Sequence, residues 1–367
     1  MKILHVHPTY TSIKGGVERH IEGLSKYQAT RGHQIRILTT EKGHNFKYSN
    51  NQISVHRVHK LSSLFSTDSY DVIHVHGYRV PWANIFGLLQ KLRKQKVVLT
   101  THGIYPPRSR KDAFAKKLYD NVLGGVNVKL FDACIALTPE TESALLELRA
   151  PQEKIWIIPN SIDTERFKKI VSPGLFHSQY NIPFDKKIIL YVGRIDWNKG
   201  LDLSIRSFSN VLMDVPDAIM VLVGGDYGYS TCLKDLTNKL NISDKVFFVG
   251  EVSENALYSA YAATDVFLLT SVYEGLPTVV LEAMACGVPV IASNKGGTSH
   301  VIEHGKDGFL TEFGNVMDTA RFITNLLRNQ KLRSVIGNNG KELVEKKYSW
   351  AHNSLKVEEV YNFLNPR

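Results

Sequence analysis

The chain predicts an α/β fold of two parallel-sheet domains, and three observations carry that prediction. Short apolar runs bounded by Gly, Pro or polar residues alternate with helical patterns from end to end, as strands joined by crossover helices do. The 367 residues exceed the roughly 100–200 that one domain usually takes, so two cores are expected. Side chains suited to phosphate and hydroxyl groups follow the runs, at the strand ends where open parallel sheets collect ligands.

The runs read as strands are residues 3–7, 35–39, 72–76, 97–101 and 134–138, then 188–192, 220–223, 246–249, 266–269 and 288–292. After the first, a loop ends in Gly15-Gly16-Val17-Glu18 and opens a helix running to about Thr30. Paired glycines let backbone amides approach a ligand at a helix start, where the dipole favours phosphate. Their spacing does not match the G-x-G-x-x-G dinucleotide fingerprint. His5 with His7, and His74 with His76, are spaced to share a strand face, as a metal pair would be. No Cys, Asp or Glu stands in register as a third ligand, so no metal site is expected.

After the run 97–101, Thr101-His102-Gly103 puts an imidazole at the carboxyl edge of a strand, where it can bond a sugar hydroxyl, shuttle a proton or serve the structure alone. The densest basic stretch, Arg108 to Lys117, interleaves Phe114, Leu118, Tyr119 and Val122 at helical spacing. A basic amphipathic helix of this kind suits an anionic interface; the bland reading is a solvated face over a core stripe.

The polar, Pro- and Gly-containing residues 168–183 mark the seam, giving an N-terminal domain over 1–168, a C-terminal domain over 169–348 and a final helix over 349–367. Ser349 is the N-cap candidate of that helix, and Leu355, Val357, Val360, Tyr361 and Leu364 form its apolar stripe.

Past the seam, GRIDWNKG follows the run 188–192, so Arg194 and Lys199 bracket a loop at a strand's carboxyl end. A guanidinium fork and a mobile ammonium suit a diphosphate, while a solvated turn is the plain alternative. The stretch YEGLPTVVLEAMACG reads as a helix from Leu276, apolar nearly all round, with Pro277 in its first turn and Gly287 closing it. Such a helix is buried, so the acid it carries, Glu282, needs a dedicated partner: a hydroxyl-rich ligand or a structural cation.

Composition narrows the classes. Net charge is +10, and its distribution is uneven: residues 1–170 hold 26 Lys and Arg against 14 Asp and Glu, the remainder 19 against 21. That asymmetry points to an anionic partner for the first half, whether membrane surface, nucleic acid or phosphorylated substrate. The basic segments carry no nucleic-acid motif, so nucleic acid is not the expected partner. Cys134, Cys232 and Cys286 have no paired spacing and read as reduced thiols of a cytoplasmic protein. The first apolar run is too short for a signal peptide, and no run of eighteen apolar residues occurs.

Taken in order, GGVERH from Gly15, THG from Thr101, PNSID from Pro159, GRIDWNKG from Gly193 and the glutamates at 274 and 282 resemble the retaining glycosyltransferases of family 4, over residues 15 to about 310. The resemblance implies a GT-B architecture, two Rossmann-like domains facing across a cleft, with the final helix crossing back to the first. It implies that Arg194 and Lys199 hold the diphosphate of a nucleoside-diphosphate sugar and that Glu282 holds the ribose hydroxyls. Glu274 and the backbone of Gly275, Leu276, Pro277 and Thr278 would meet the donor sugar, the amides of Gly15 and Gly16 the distal phosphate, and His102 the sugar or the acceptor. The implied enzyme works without a cofactor or bound metal and transfers a hexose to a glycan or lipid-linked acceptor at the inner face of a membrane. Ser161 and His300 stand where the family favours Gly and Glu, so neither takes a family role. A sugar-nucleotide epimerase of the same shape is the enzyme alternative.

Overall fold

The structure, a computed structural model, describes residues 1–10, 15–49, 52–58, 68–103, 110–168 and 172–366. Two compact units emerge, Met1–Ile162 with Ser349–Arg367, and Asp163–Tyr348. The first boundary thus falls six residues before the expected 168. The reason is the short helix Thr164–Lys168, which packs against the helix Thr278–Ala285 and whose Arg166 donates to Glu254 at 2.6 Å. The helix Gly174–Tyr180, within the expected seam, also belongs to the second unit: Ser259 Oγ takes the backbone N–H of Phe176 at 2.8 Å. Residues 169–171 of that seam lie outside the described residues.

The first unit is built on β1 (Lys2–Val6), β2 (Gln34–Thr39), β3 (Phe46–Tyr48), β4 (Ile53–Arg57), β5 (Val72–His76), β6 (Val97–Thr100), β7 (Ala133–Ala136) and β8 (Ile155–Ile157), in the spatial order β3-β4-β2-β1-β5-β6-β7-β8. The strands pair in parallel except β3, which runs antiparallel to β4. One sheet face buries Ile3, Ile35, Val72 and Val98 against Ile21 and Leu24 of the helix Gly16–Thr30 and Val357, Val360 and Tyr361 of the helix Trp350–Leu364. Those two helices touch at Gly23, where a Cβ would lie 2.1 Å from Nε1 of Trp350. Ser349 occupies the N-cap of the final helix without a side-chain bond there, and Leu355 of the expected stripe is exposed.

The second unit contains β9 (Lys187–Val192), β10 (Ala218–Val223), β11 (Val246–Gly250), β12 (Val266–Leu269), β13 (Val290–Ser293) and β14 (Phe309–Thr311), all parallel, ordered β11-β10-β9-β12-β13-β14. The order reverses between β9 and β12. β3, β4, β8 and β14 were not anticipated. Each is an edge strand or next to one: polar residues break the apolar run in β3, β4 and β14, and β8, Ile-Trp-Ile, is apolar but only three residues long.

Candidate functional site

In the second unit the two loops flanking the reversal of strand order carry the predicted acidic and basic residues, as ligand sites of doubly wound sheets do. The loop after β9 leads through Arg194 to the short 3₁₀ turn Trp197–Lys199, then to Gly200 at φ 60°, where a Cβ would stand 2.2 Å from the carbonyl of Thr270 in the loop after β12. That close approach brings Nζ of Lys199 to 2.6 Å from Oε1 of Glu274, both side chains largely buried. The N–H of Gly297 donates to the carbonyl of Glu274 at 2.7 Å and holds the Glu274–Gly275 turn. Arg194 points its guanidinium over the ring of Tyr227, 5.1 Å from the centroid, and is exposed; its own carbonyl accepts the phenol of Tyr191 at 2.7 Å.

The helix Thr278–Ala285 begins two residues later than predicted: Pro277 is its N-cap, with extended backbone at ψ 114°, and Leu276 precedes it. Val280, Leu281, Ala283 and Met284 are fully buried, and Glu282 among them is 3% exposed. Oε2 of Glu282 accepts the phenol of Tyr261 at 2.9 Å, a partner that is neither of the two anticipated. Burial, with the charge of Glu282 adding to it, pushes the Cys286 thiol up to about 12.

In the first unit Gly15 is the extended N-cap of the helix Gly16–Thr30, with Glu18 in the first turn. A Cβ on Gly16 would meet nothing within 4 Å, and its φ is unremarkable, so neither packing nor backbone conformation among the described residues explains the missing side chain. His102 sits past β6 in the left-handed region, φ 54°, a costly conformation that persists where surroundings enforce it. It belongs to a set of five packed imidazoles. Register pairs His5 of β1 with His74 of β5, and His20 and His102 close on His76 from the helix Gly16–Thr30 and from the loop after β6.

Ligand atoms of His5, His74 and His76, and those of His20, His76 and His102, lie within 4.8 Å of one another. His5 therefore approaches the His74–His76 pair as a third imidazole brought by another strand, contrary to the expectation from sequence, whereas among the described residues His7 belongs to neither group. His74 is fully engaged, with Nδ1 2.5 Å from the phenol of Tyr361 and Nε2 2.6 Å from Oγ1 of Thr100. Burial pushes all five imidazoles below the usual value, His5 and His20 to about 4, so they are neutral near pH 7.

Sequence reasoning named the charged residues and missed Tyr227, Tyr261, Gln28 and His20, whose parts depend on which strands and helices become neighbours. The Ser161 hydroxyl accepts Nδ2 of Asn353 at 2.8 Å, a bond to the final helix, and His300 is exposed.

Residues 14–166 match the family described as Glycosyltransferase Family 4, and residues 175–343 match Glycosyl transferases group 1, so that the two together take in nearly the whole chain. The chain belongs to glycosyltransferase family 4. This family 4 enzyme is 28% identical to N-acetyl-alpha-D-glucosaminyl L-malate synthase of Bacillus anthracis, over 92% of the chain and 91% of that protein. It is 26% identical to the UDP-Gal:alpha-D-GlcNAc-diphosphoundecaprenol alpha-1,3-galactosyltransferase of Escherichia coli, over 82% and 77% respectively. Sucrose-phosphate synthase from Thermosynechococcus elongatus shares the fold with a TM-score of 0.83 at 21% identity, covering 99% of this chain and 98% of that one. HepE of Anabaena, solved with UDP and glucose, gives 0.83 at 19% identity, covering 99% and 100%. The fold of this family 4 glycosyltransferase is accordingly the two-unit Rossmann-like GT-B class.

Proposed function

We propose that this glycosyltransferase retains the anomeric configuration, needs no metal ion, and transfers a hexose from a nucleoside-diphosphate sugar to a lipid-linked or cell-envelope acceptor at a membrane surface. The observation that carries the reading is the meeting of the loops after β9 and β12, where Lys199 and Glu274 are joined 2.6 Å apart at the reversal of strand order. On this reading Arg194 and Lys199 take the diphosphate, Glu274 and the backbone from Gly275 to Thr278 the sugar, and Glu282 the ribose. The amides at Gly15 and Gly16 take a phosphate, and His102 takes a hydroxyl.

Breaking the anomeric bond leaves a nucleoside diphosphate with growing negative charge. Fixed cations aimed at it favour the transition state over the ground state, which makes Arg194 and Lys199 catalytic as well as binding. Glu274 is already held by Lys199, which weakens it as a covalent nucleophile. Same-face attack then follows: the acceptor oxygen bonds to the anomeric carbon as the bond to the phosphate oxygen breaks, and that oxygen takes the acceptor's proton. Metal independence is supported by the lack of any Asp-x-Asp element to seat a divalent ion beneath a diphosphate.

Membrane contact is supported by the helix Arg110–Tyr119 and the turn after it, where Phe114 is 72%, Leu118 56% and Val122 64% exposed beside the exposed Lys111 and Lys117. Arg108 of the predicted stretch lies outside the described residues. No described helix is long and apolar enough to cross a membrane.

The test is a panel of nucleotide sugars screened by melting temperature, followed by transfer with the stabilising donor into a polyprenyl-diphosphate-linked acceptor in the presence of a chelator. A donor-specific rise in melting temperature and an axial product from an axial donor are expected. An inverted product, or loss of transfer on chelation, would overturn the retaining, metal-free reading. Conversion of the sugar nucleotide with no acceptor present would favour the epimerase.

A further inference from the structure

The buried imidazoles of the first unit are wired in one direction, and the direction can be read from their partners. Gln28, fully buried, places Oε1 2.9 Å from Nε2 of His5 and Nε2 3.5 Å from the phenol of Tyr361. An amide oxygen only accepts, so His5 carries its proton on Nε2 and leaves Nδ1 bare. That bare nitrogen lies 2.9 Å from Nε2 of His76, which must then be the protonated nitrogen of that ring. Nδ1 of His76 is bare in turn and lies 3.0 Å from Nε2 of His102. Because burial keeps each ring neutral, every imidazole has one proton to place, and the choice made at Gln28 propagates to the end of the row.

We propose that Gln28, His5 and His76 are positioning residues that hold His102 as its Nε2–H tautomer, leaving Nδ1 of His102 as an acceptor for a hydroxyl of the bound sugar or acceptor. The inference rests on the reading that His102 meets a ligand hydroxyl, and it deepens that reading by fixing the chemistry of the group it receives. A hydroxyl has a proton to give to a bare nitrogen; a phosphate or carboxylate oxygen does not. Among the described residues Nδ1 of His102 has no partner. His20 reinforces the arrangement. Oδ1 of Asn160 accepts the backbone N–H of Ser161 at 3.0 Å, which orients that amide, and so His20 donates to it from Nδ1 at 2.9 Å. The other nitrogen of His20 is therefore bare and buried, and its ring stands edge-on to His102 with centroids 4.5 Å apart. Neither neighbour offers His102 a competing proton.

The test uses the full chain with ¹⁵N-labelled histidine and long-range ¹⁵N–¹H correlation at pH 7.5, His102 being assigned by the signal missing from His102→Asn. The expected pattern for His102 is a bare Nδ1 and a protonated Nε2; the reverse pattern, or a cationic ring, would overturn the proposal. In Gln28→Glu, whose carboxylate can only accept, the pattern should persist. In Gln28→Met it should become a mixture of tautomers, with turnover down about tenfold, the worth of one hydrogen bond, and affinity for free nucleoside diphosphate unchanged. Unchanged turnover in Gln28→Met with a scrambled tautomer would refute the positioning role. One equivalent of zinc in the purified protein, ligated by His76 and His102 as neutral imidazoles in place of the hydrogen bond between them, would replace the row with a metal site. The tautomer readout needs no sugar nucleotide, so its failure is distinct from failure of the transferase reading.

Discussion

The ammonium of Lys199 and the carboxylate of Glu274, 2.6 Å apart with side chains 16% and 10% exposed, tie the loop after β9 to the loop after β12. Removing one partner leaves the other charge largely desolvated, whereas removing both does not. Lys199→Met and Glu274→Gln should each lower stability, and the double variant should lie above the sum of the singles by about 0.5–3 kcal/mol. Denaturant midpoints of the four proteins measure this; strict additivity would mean the pair is energetically inert.

Arg194 is a different case, because it is exposed and, among the described residues, its guanidinium rests on the Tyr227 ring. Arg194→Ala should lose on the order of 10²–10³ in turnover, as loss of one oxyanion donor does, with the melting temperature nearly unchanged. Steady-state kinetics on the folded variant decides: wild-type turnover would make Arg194 an ordinary loop cation.

Glu282 spends one oxygen on Tyr261. A hydrogen bond from a ribose hydroxyl to a charged acceptor is worth about 1.5–3 kcal/mol, so Glu282→Gln should weaken free nucleoside diphosphate by roughly 10–100-fold. Calorimetry with Glu282→Gln and Tyr261→Phe separates binding from support: the first should cost affinity, the second mainly stability. Equal affinities for wild type and Glu282→Gln would confine the acid to a structural role.

What the sequence disclosed tracks how local each signal is. The central strands were legible because strands covered on both faces read as continuous apolar runs, as residues 218–223 do, and the loop residues Arg194, Lys199 and Glu274 were legible because they follow such runs. The buried acid at 282 was legible as an anomaly on an apolar helix. Its phenolic partner was not, since Tyr261 lies 21 residues upstream on another helix and only packing brings it close. The histidine row was half legible. Alternation put His5 and His74 on faces of their strands, but their adjacency depends on β1 lying beside β5, and His20 and Gln28 reach them from a helix.

The helix Arg110–Tyr119 offers a surface test. Phe114 and Leu118 are exposed on a helix that also carries Lys111, Lys116 and Lys117, a pattern that costs solubility unless something covers it. Co-sedimentation with vesicles containing anionic lipid should be strong at low salt and weaken above 0.1 M, where the screening length is about 10 Å. Phe114→Ser with Leu118→Ser should reduce binding several-fold and leave stability intact. Binding unaffected by either salt or the double substitution would exclude this face.

Four buried imidazoles and the half-buried His102 also make stability depend on pH, and the sign follows from their shifts. His5 and His20 drop from 6.5 to about 4 on folding, and His74, His76 and His102 are also held well below 6.5, burial being the largest cause in each. Below pH 6.5 the unfolded chain takes up protons that the folded chain refuses, so unfolding is favoured as pH falls. Their contribution is complete above 6.5 and declines through the window down to about 4, by about 1.4 kcal/mol per pH unit for each ring that stays neutral. Urea midpoints should therefore be level between pH 7 and 8 and fall steeply from 6.5 to 5. His20→Gln should reduce that slope even if it lowers stability at pH 7.5. A midpoint that stays level down to pH 5 would show that these rings protonate in the folded protein, and the single-tautomer row ending at His102 could not then exist.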